Sequence, residues 1–376
     1  MSGASRVVLV TGDFVPTGGM DRANHALASY LARTGHPVTL VTHRAAPDLM
    51  ALTGVEVQQV RKPLGSYFLG GWWLSAAGKR AAKQPGVRTL VNGGNCPAAD
   101  ANWVHYVHAA YRPTVPGSIL RRMKAAIERP LDRLSERTAL RRARIVIANS
   151  HRTRRDLIER LGVNETRIHV VYYGNDVERF HPASPAERTS LRERLGWPVD
   201  RPVVLFIGAL ADRRKGFDTL FTAWSKLARS PGWDAILGVI GQGAERSVWE
   251  SRVAASGLGD SVRFLGFRSD VPDLLRAADA LVAPTRYEAY GLGVHEALCC
   301  GLPAIVSAEA GVAERYPPEI RDLLLPNAED STDLAARLER WRADREGTTA
   351  RVQHVGEELR SWNWDDMSKS LWETIA

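Results

Sequence analysis

The stretch ALVAPTRYEAYGLGVHEALCCGLPAIVS, residues 280–307, holds one complete structural unit. ALVAP (280–284) and AIVS (304–307) are short apolar runs without polar alternation, as expected of parallel strands buried on both faces. Between them a helix is expected to open around Gly291 or Leu292, with Glu288 in the preceding loop and Glu296 about one turn inside. The same alternation extends in both directions. Upstream runs RVVLV (6–10), VTLVT (38–42), RTLVN (88–92), RIVIAN (144–149) and IHVVY (168–172) form one set. VVLFIG (203–208), AILGVIG (235–241) and VRFLG (262–266) belong with the opening stretch. Amphipathic helical patterns lie between them, at 20–34, 152–161, 216–229 and 271–277. Strands alternating with helices on this scale predict a doubly wound α/β architecture.

The chain has 376 residues, more than one core usually serves, so two domains are expected. The segment 175–202 carries four prolines and no strand pattern, and a fresh strand starts after it. The boundaries follow as 1–180, 181–358 and a terminal segment 359–376. In that segment Trp364, Met367, Leu371 and Ile375 share one helical face that must dock, with the first domain as the expected partner. Three cysteines, two of them adjacent, cannot build a secreted disulfide framework, and none has zinc-site spacing. The N-terminal apolar run is too short for an export signal, and no run is long enough to span a bilayer. A cytoplasmic protein, at most attached to the inner face of a membrane, is the expectation.

Lysine and arginine outnumber acidic residues by eight, which favours anionic partners without choosing among them. The dinucleotide and P-loop fingerprints are absent. Gly18 and Gly19 precede a helix without a third glycine at the right spacing, and GQGAER (241–246) has Arg246 where the last glycine belongs. Either pair alone reads as a tight turn, although Gly18 and Gly19 also suit close approach of backbone amides to an anion. Glu288 and Glu296 sit where a parallel sheet binds ligands, after the carboxyl end of a strand. Two carboxylates can grip sugar hydroxyls while amides at the helix start hold a diphosphate.

This stretch resembles the Glu-x7-Glu signature of retaining GT-B glycosyltransferases of the family 4 type (glycosyl transferases group 1), whose two Rossmann-like domains face across a cleft. GGMDRANHALASYLARTGHPVTLVT, ANSHRTRRDLIERLGVNETRIHVVYYGNDVERFHP, VVLFIGALADRRKGFDTL and VRFLGFRSDVPDLLRAADALVAPTRYEAYGL are similar to successive blocks of that family. The resemblance implies that Glu288 binds hydroxyls of the donor sugar and Glu296 the ribose. Lys215 would meet the departing diphosphate, and Gly291 and Leu292 would lend the helix start. His108 would contact the donor sugar, with His105 its rival in the same run. The family commonly places arginine directly after the glycine of the phosphate loop, but Ala209 follows Gly208 here. Arg213 and Arg214 are close enough to substitute, and Arg213 is the preferred of the two. No D-x-D pair occurs, so no metal clamp and no cofactor are expected, and Lys, Arg and amides must meet the leaving-group charge. The implied reaction moves a hexosyl group from a nucleotide-diphosphate sugar, with retention, to an unidentified acceptor such as a glycan or lipid-linked glycan. A sugar-nucleotide epimerase on the same fold, or a catalytically silent scaffold, is the alternative.

The run SILRRMKAAIERPLDRLSERTALRRAR (118–144) carries nine basic and three acidic residues. Leu120, Met123, Ile127, Leu131 and Leu134 recur at helical spacing, and Pro130 marks a break or a new helix start. The preferred reading is a solvated helix packing its apolar stripe on the core. Contact with an anionic membrane stands beside it. Nucleic acid is not expected, because no recognition module or aromatic stacking stripe accompanies the charge.

Overall fold

The computed structural model describes residues 6–97, 100–112, 119–211 and 213–376, with backbone alone at 119–122, 124 and 125. The chain forms two compact units, one from Met1–Arg112, Met123–Gly174 and Trp362–Ala376, the other containing Asn175–Ser361. Each is built on a wholly parallel sheet.

In the first unit the strands are β1 (Arg6–Val10), β2 (Val38–Thr42), β3 (Val55–Gln59), β4 (Val87–Asn92), β5 (Ala101–Val104), β6 (Ile145–Ala148) and β7 (Ile168–Val170). Their order is β3-β2-β1-β4-β5-β6-β7. Val7, Val8, Leu9 and Val10 are all buried, so both faces of the central strand are covered, as its unbroken apolar run requires. Two strands of this seven-stranded sheet escaped the sequence reading. β3, VEVQQ, lies at the sheet edge with little buried side chain, and β5, ANWV, places Asn102 in the buried interior. The Asn102 amide donates to the Gly93 carbonyl at 2.8 Å, which offsets the cost of burying it.

The second unit carries β8 (Val203–Ile207), β9 (Ile236–Ile240), β10 (Val262–Gly266), β11 (Ala280–Ala283), β12 (Ala304–Ser307) and β13 (Leu324–Leu325). Their order is β10-β9-β8-β11-β12-β13. The order reverses between β8 and β11, where Val204 pairs with Ala280 and Leu205 with Leu281. Loops leaving the carboxyl ends of these two strands therefore diverge to opposite sides and leave a crevice, the usual ligand position in such sheets.

The terminal helix Trp364–Ile375 belongs to the first unit and packs on helix Met20–Arg33. Met367, Leu371 and Ile375 are buried. Asn363 caps the helix in a reciprocal box with Asp366, and Arg33 meets Asp365 at 2.6 Å. Gly174 lets this segment approach, because a Cβ there would overlap the Asn363 carbonyl.

The basic run differs from expectation in two ways. Ile119–Arg142 is one helix that continues through Pro130. Ala126 and Pro130 are both exposed, so the carbonyl that proline leaves without its helical donor faces solvent. The apolar stripe does not pack on the core either: Met123, Ile127 and Leu134 are exposed, while Glu136, Ala139 and Leu140 are buried. Ser118 and the Leu120 side chain lie outside the described residues. Among the described residues, no helix is long and apolar enough to cross a membrane.

Candidate functional site

The second unit gathers the donor-side candidates at the diverging ends of β8 and β11. After β8 the chain turns through Gly208 and a 3-10 turn, Arg213–Lys215, into helix Phe217–Leu227. Glycines make this turn fit. Gly216 has φ +74°, and a Cβ on it would overlap the carbonyl oxygen of Pro284 at the end of β11. A Cβ on Gly241 would overlap the Gly208 carbonyl, and one on Gly243 would overlap Leu210. The glycines of GQGAER are therefore spacers that let two loops touch backbone to backbone, where the sequence had suggested only a tight turn.

Lys215 and Glu288 meet here. The Lys215 ammonium is paired with Glu288 Oε2, and its stem packs against Gly208, where a Cβ would stand 3.0 Å from Lys215 Cβ and Cγ. Both side chains are about four-fifths covered. Arg214 Nη1 lies 3.9 Å from the same carboxylate oxygen and donates to the Tyr287 carbonyl at 3.4 Å. Gly291, with φ +114°, caps helix Leu292–Cys299 and lies against Val312 and Glu288. The first helical hydrogen bonds come from the amides of Val294 and His295 to the Gly291 carbonyl, so Leu292 and Gly293 open the helix with amides that precede the ladder. Glu296 is buried in this helix and helps push the Cys300 thiol up to about 12, after burial itself.

Arg213 and Arg214 go in different directions, which reverses the order expected of them. Arg213 donates to Asp218 at 2.7 Å and to Glu329 at 3.1 Å. Arg286 bonds the same two carboxylates, 2.7 Å from Asp218 and closer still to Glu329, and holds the Glu329 carboxyl below its ordinary range. Arg213 is thus consumed by a structural ion network that the sequence did not reveal. Among the described residues, Arg214 and Lys215 are the ones that pair with Glu288. We therefore expect Arg214→Ala to lower kcat/KM more than Arg213→Ala. Steady-state kinetics on the two variants check this, with the opposite order as the refuting result.

The remaining candidates belong to the first unit. Gly18, exposed and with φ +80°, and the half-buried Gly19 form the loop at the start of helix Met20–Arg33. Two carboxylates that sequence reading had not singled out border it. Asp13 is buried, accepts from Tyr67 at 2.6 Å and from Arg44 at 3.0 Å, and keeps Oδ1 without a hydrogen bond. Burial and then the Asp13 charge raise Asp21 to about 6, against the opposing pull of Arg44. Their only sequence signal was their place, after β1 and in the first helical turn.

The two histidines separate clearly. His105 is buried, stacks on Tyr173 and bonds its hydroxyl through Nδ1, and burial lowers its pKa to about 3. It is a neutral interior residue. His108 is exposed, and its backbone N–H donates to Glu136 Oε1 at 3.0 Å. Glu136 was read as one charge of a solvated run, yet it is fully buried beneath the His108 turn and also accepts from the Ala109 amide.

The comparisons agree with this layout. Residues 17–179 match the model of Glycosyltransferase Family 4, and residues 187–358 match that of Glycosyl transferases group 1. A mannosylfructose-phosphate synthase of Agrobacterium fabrum is 37% identical over 165 residues, 42% of this chain and 36% of that protein. A D-inositol 3-phosphate glycosyltransferase of Salinispora tropica is 28% identical over 396 residues, 96% of this chain and 80% of that protein. The match to the first of these relatives thus spans little more than a third of its length. Among solved structures, Anabaena HepE in complex with UDP-glucose superposes with a TM-score of 0.73 at 20% identity, covering 98% of both chains, a likeness of the GT-B fold. Two family models matched in chain order, one on each parallel-sheet unit, leave one conclusion: the chain belongs to the family 4, group 1 glycosyltransferases, with the GT-B fold.

Proposed function

We propose that this protein is a retaining glycosyltransferase that moves a hexosyl group from a nucleotide-diphosphate sugar to an acceptor, without a metal ion or further cofactor. The observation that carries this reading is the pairing of Lys215 and Glu288 at the diverging strand ends, beside a helix opened by Gly291 and Leu292. A cation, a carboxylate and helix-start amides in one place suit a ligand with a diphosphate at one end and hydroxyls at the other. Lys215 and Arg214 would take up negative charge as it develops on the leaving diphosphate, a preorganised stabilisation that needs no metal. Glu288 would hold the sugar and Glu296 the ribose. In the first unit, His108 would contact the donor sugar, and Gly18 and Gly19 would admit the phosphates. That HepE is solved with UDP-glucose supports this donor class. The acceptor would be a glycan or lipid-linked glycan on the cytoplasmic side, with the basic helix Ile119–Arg142 touching anionic lipid through its exposed Met123 and Ile127.

Incubation with a panel of nucleotide sugars tests the reaction. Release of a nucleoside diphosphate supports transfer, conversion of the donor to its epimer would mean an epimerase, and no reaction would mean a silent scaffold. Within this assay Glu296→Ala should raise KM, because the ribose is bound alike in ground and transition states. Glu288→Ala should mainly lower kcat, because it faces the reacting sugar. Small, equal effects of both, with the fold intact, would refute the assignment.

A further inference from the structure

Helix Tyr67–Ala81, between β3 and β4, is packed inside out. The side it buries carries Gly70, Leu74, Ala77, Gly78 and Ala81. Its large apolar residues face water instead: Trp72 is 69% and Trp73 61% exposed, with Leu69 beside them. The glycines enforce this arrangement. A Cβ on Gly70 would stand 2.8 Å from the His43 ring, and one on Gly78 3.0 Å from Cys96 and Val10, so neither position admits a side chain without displacing the core. Just ahead of the helix, Leu64 is 96% exposed and is the one non-glycine residue among those described with positive φ, +52°. A leucine kept in a strained conformation and left in water gains nothing within this chain.

The charge along this stretch of chain has one sign, and Asp13, which accepts from Tyr67 at the helix start, is buried. No aspartate or glutamate occurs between Glu56 and Asp100, while Arg61, Lys62, Lys79, Arg80, Lys83 and Arg88 do. Arg61, Lys79, Arg80 and Lys83 are exposed. Adjacent tryptophans on a helix lying flat, followed by lysine and arginine at its carboxyl end, have the chemistry of an interfacial helix on an anionic bilayer. Indole rings favour the headgroup level and the basic residues favour acidic lipid. A sugar-stacking platform would need exposed carboxylates beside its rings to accept from hydroxyls; residues 57–99 supply none, and Asp13, bonded to Tyr67, is buried.

We propose that Leu64 and the outer face of helix Tyr67–Ala81 form a docking surface for an anionic phospholipid bilayer. This surface is separate from the basic helix Ile119–Arg142 and does not rest on the proposed reaction, because binding is measured without donor or acceptor. The full chain should co-sediment at low salt with phosphatidylcholine vesicles containing phosphatidylglycerol, and more weakly with phosphatidylcholine alone or at high salt. Trp72→Ser combined with Trp73→Ser should lower the partition coefficient by at least about ten-fold, because it removes the largest inserted apolar groups. Lys79→Gln, Arg80→Gln and Lys83→Gln together should remove most of the preference for acidic lipid. Leu64→Gly relieves the strained backbone and should weaken binding while leaving the melting temperature equal or higher, so loss of fold cannot mimic the result. Brominated acyl chains should quench the parent's tryptophan emission more than that of the double variant. Failure to sediment at low salt overturns the proposal, as does a tryptophan variant that binds like the parent. Loss of binding on Met123→Ser and Ile127→Ser alone, with the tryptophan variant unaffected, overturns it in favour of the other helix.

Discussion

Lys215→Ala is expected to lower kcat/KM at least ~10-fold. Its ammonium is the cation nearest Glu288 among the described residues, and Arg214 stands further off at 3.9 Å. A charge-assisted contact contributes roughly 1.5–3 kcal/mol, and 1.4 kcal/mol is a factor of about ten in rate. The contribution grows where the contact meets charge that develops only in the transition state. A second consequence adds to the loss, since Glu288 is largely covered and would be left without its closest partner. Lys215→Ala and Glu288→Ala should therefore combine to much less than the sum of their separate effects, the mark of residues that act as a pair. Arginine at 215 should rescue poorly, because the lysine stem passes close to Gly208 and a guanidinium is broader than an ammonium. Steady-state kinetics on the single and double variants decide this. A near-parental Lys215→Ala would remove Lys215 from the phosphate contact and leave Arg214 in its place.

Glu136 should govern much of the dependence of stability on pH. Burial pushes its carboxyl up to about 7, although amides of His108 and Ala109 and the Arg133 charge pull the other way. Between the unfolded value of 4.5 and about 7 the folded protein binds the extra proton. The contribution of Glu136 is therefore fully present below about 4.5 and is lost as pH rises through 7. The shift corresponds to an order-of-magnitude difference of about 3 kcal/mol between the two ends of that window. Glu136→Gln keeps an oxygen for the His108 amide and cannot ionise. Melting temperatures of parent and variant, measured from pH 4.5 to 8, should diverge in favour of the variant as pH rises. Parallel curves would show that Glu136 does not titrate in this window. Because Glu136 Oε1 is the acceptor that holds the His108 amide, Glu136→Ala should loosen the His108 turn, and kcat should fall with little change in KM.

Much of this molecule was legible in its residues taken in order. Both sheets were announced by unbroken apolar runs, because a strand buried on both faces has no polar side to show. The terminal helix showed its docking face through Met367, Leu371 and Ile375, since helical period is a local property. The Glu288 loop and the Gly291 helix start were readable as well, because they depend on neighbours within a few residues. β3 and β5 were not, since one is a polar edge and the other contains an asparagine that is tolerable only beside the Gly93 carbonyl. Pairings between distant residues were equally hidden. Arg213 and Arg214 are adjacent and chemically alike, and what separates them is Glu329, which the chain brings back to Arg213 more than a hundred positions later. Glu136 looked like one more charge on a wet helix, and nothing in the order of the residues showed that Trp72 and Trp73 face water. Composition and period state what a side chain is and which neighbours share its face. Whether that face meets water, a sheet or a partner is set by long-range packing, which for these residues came from Gly70, Gly78 and Gly94 admitting the helices so closely.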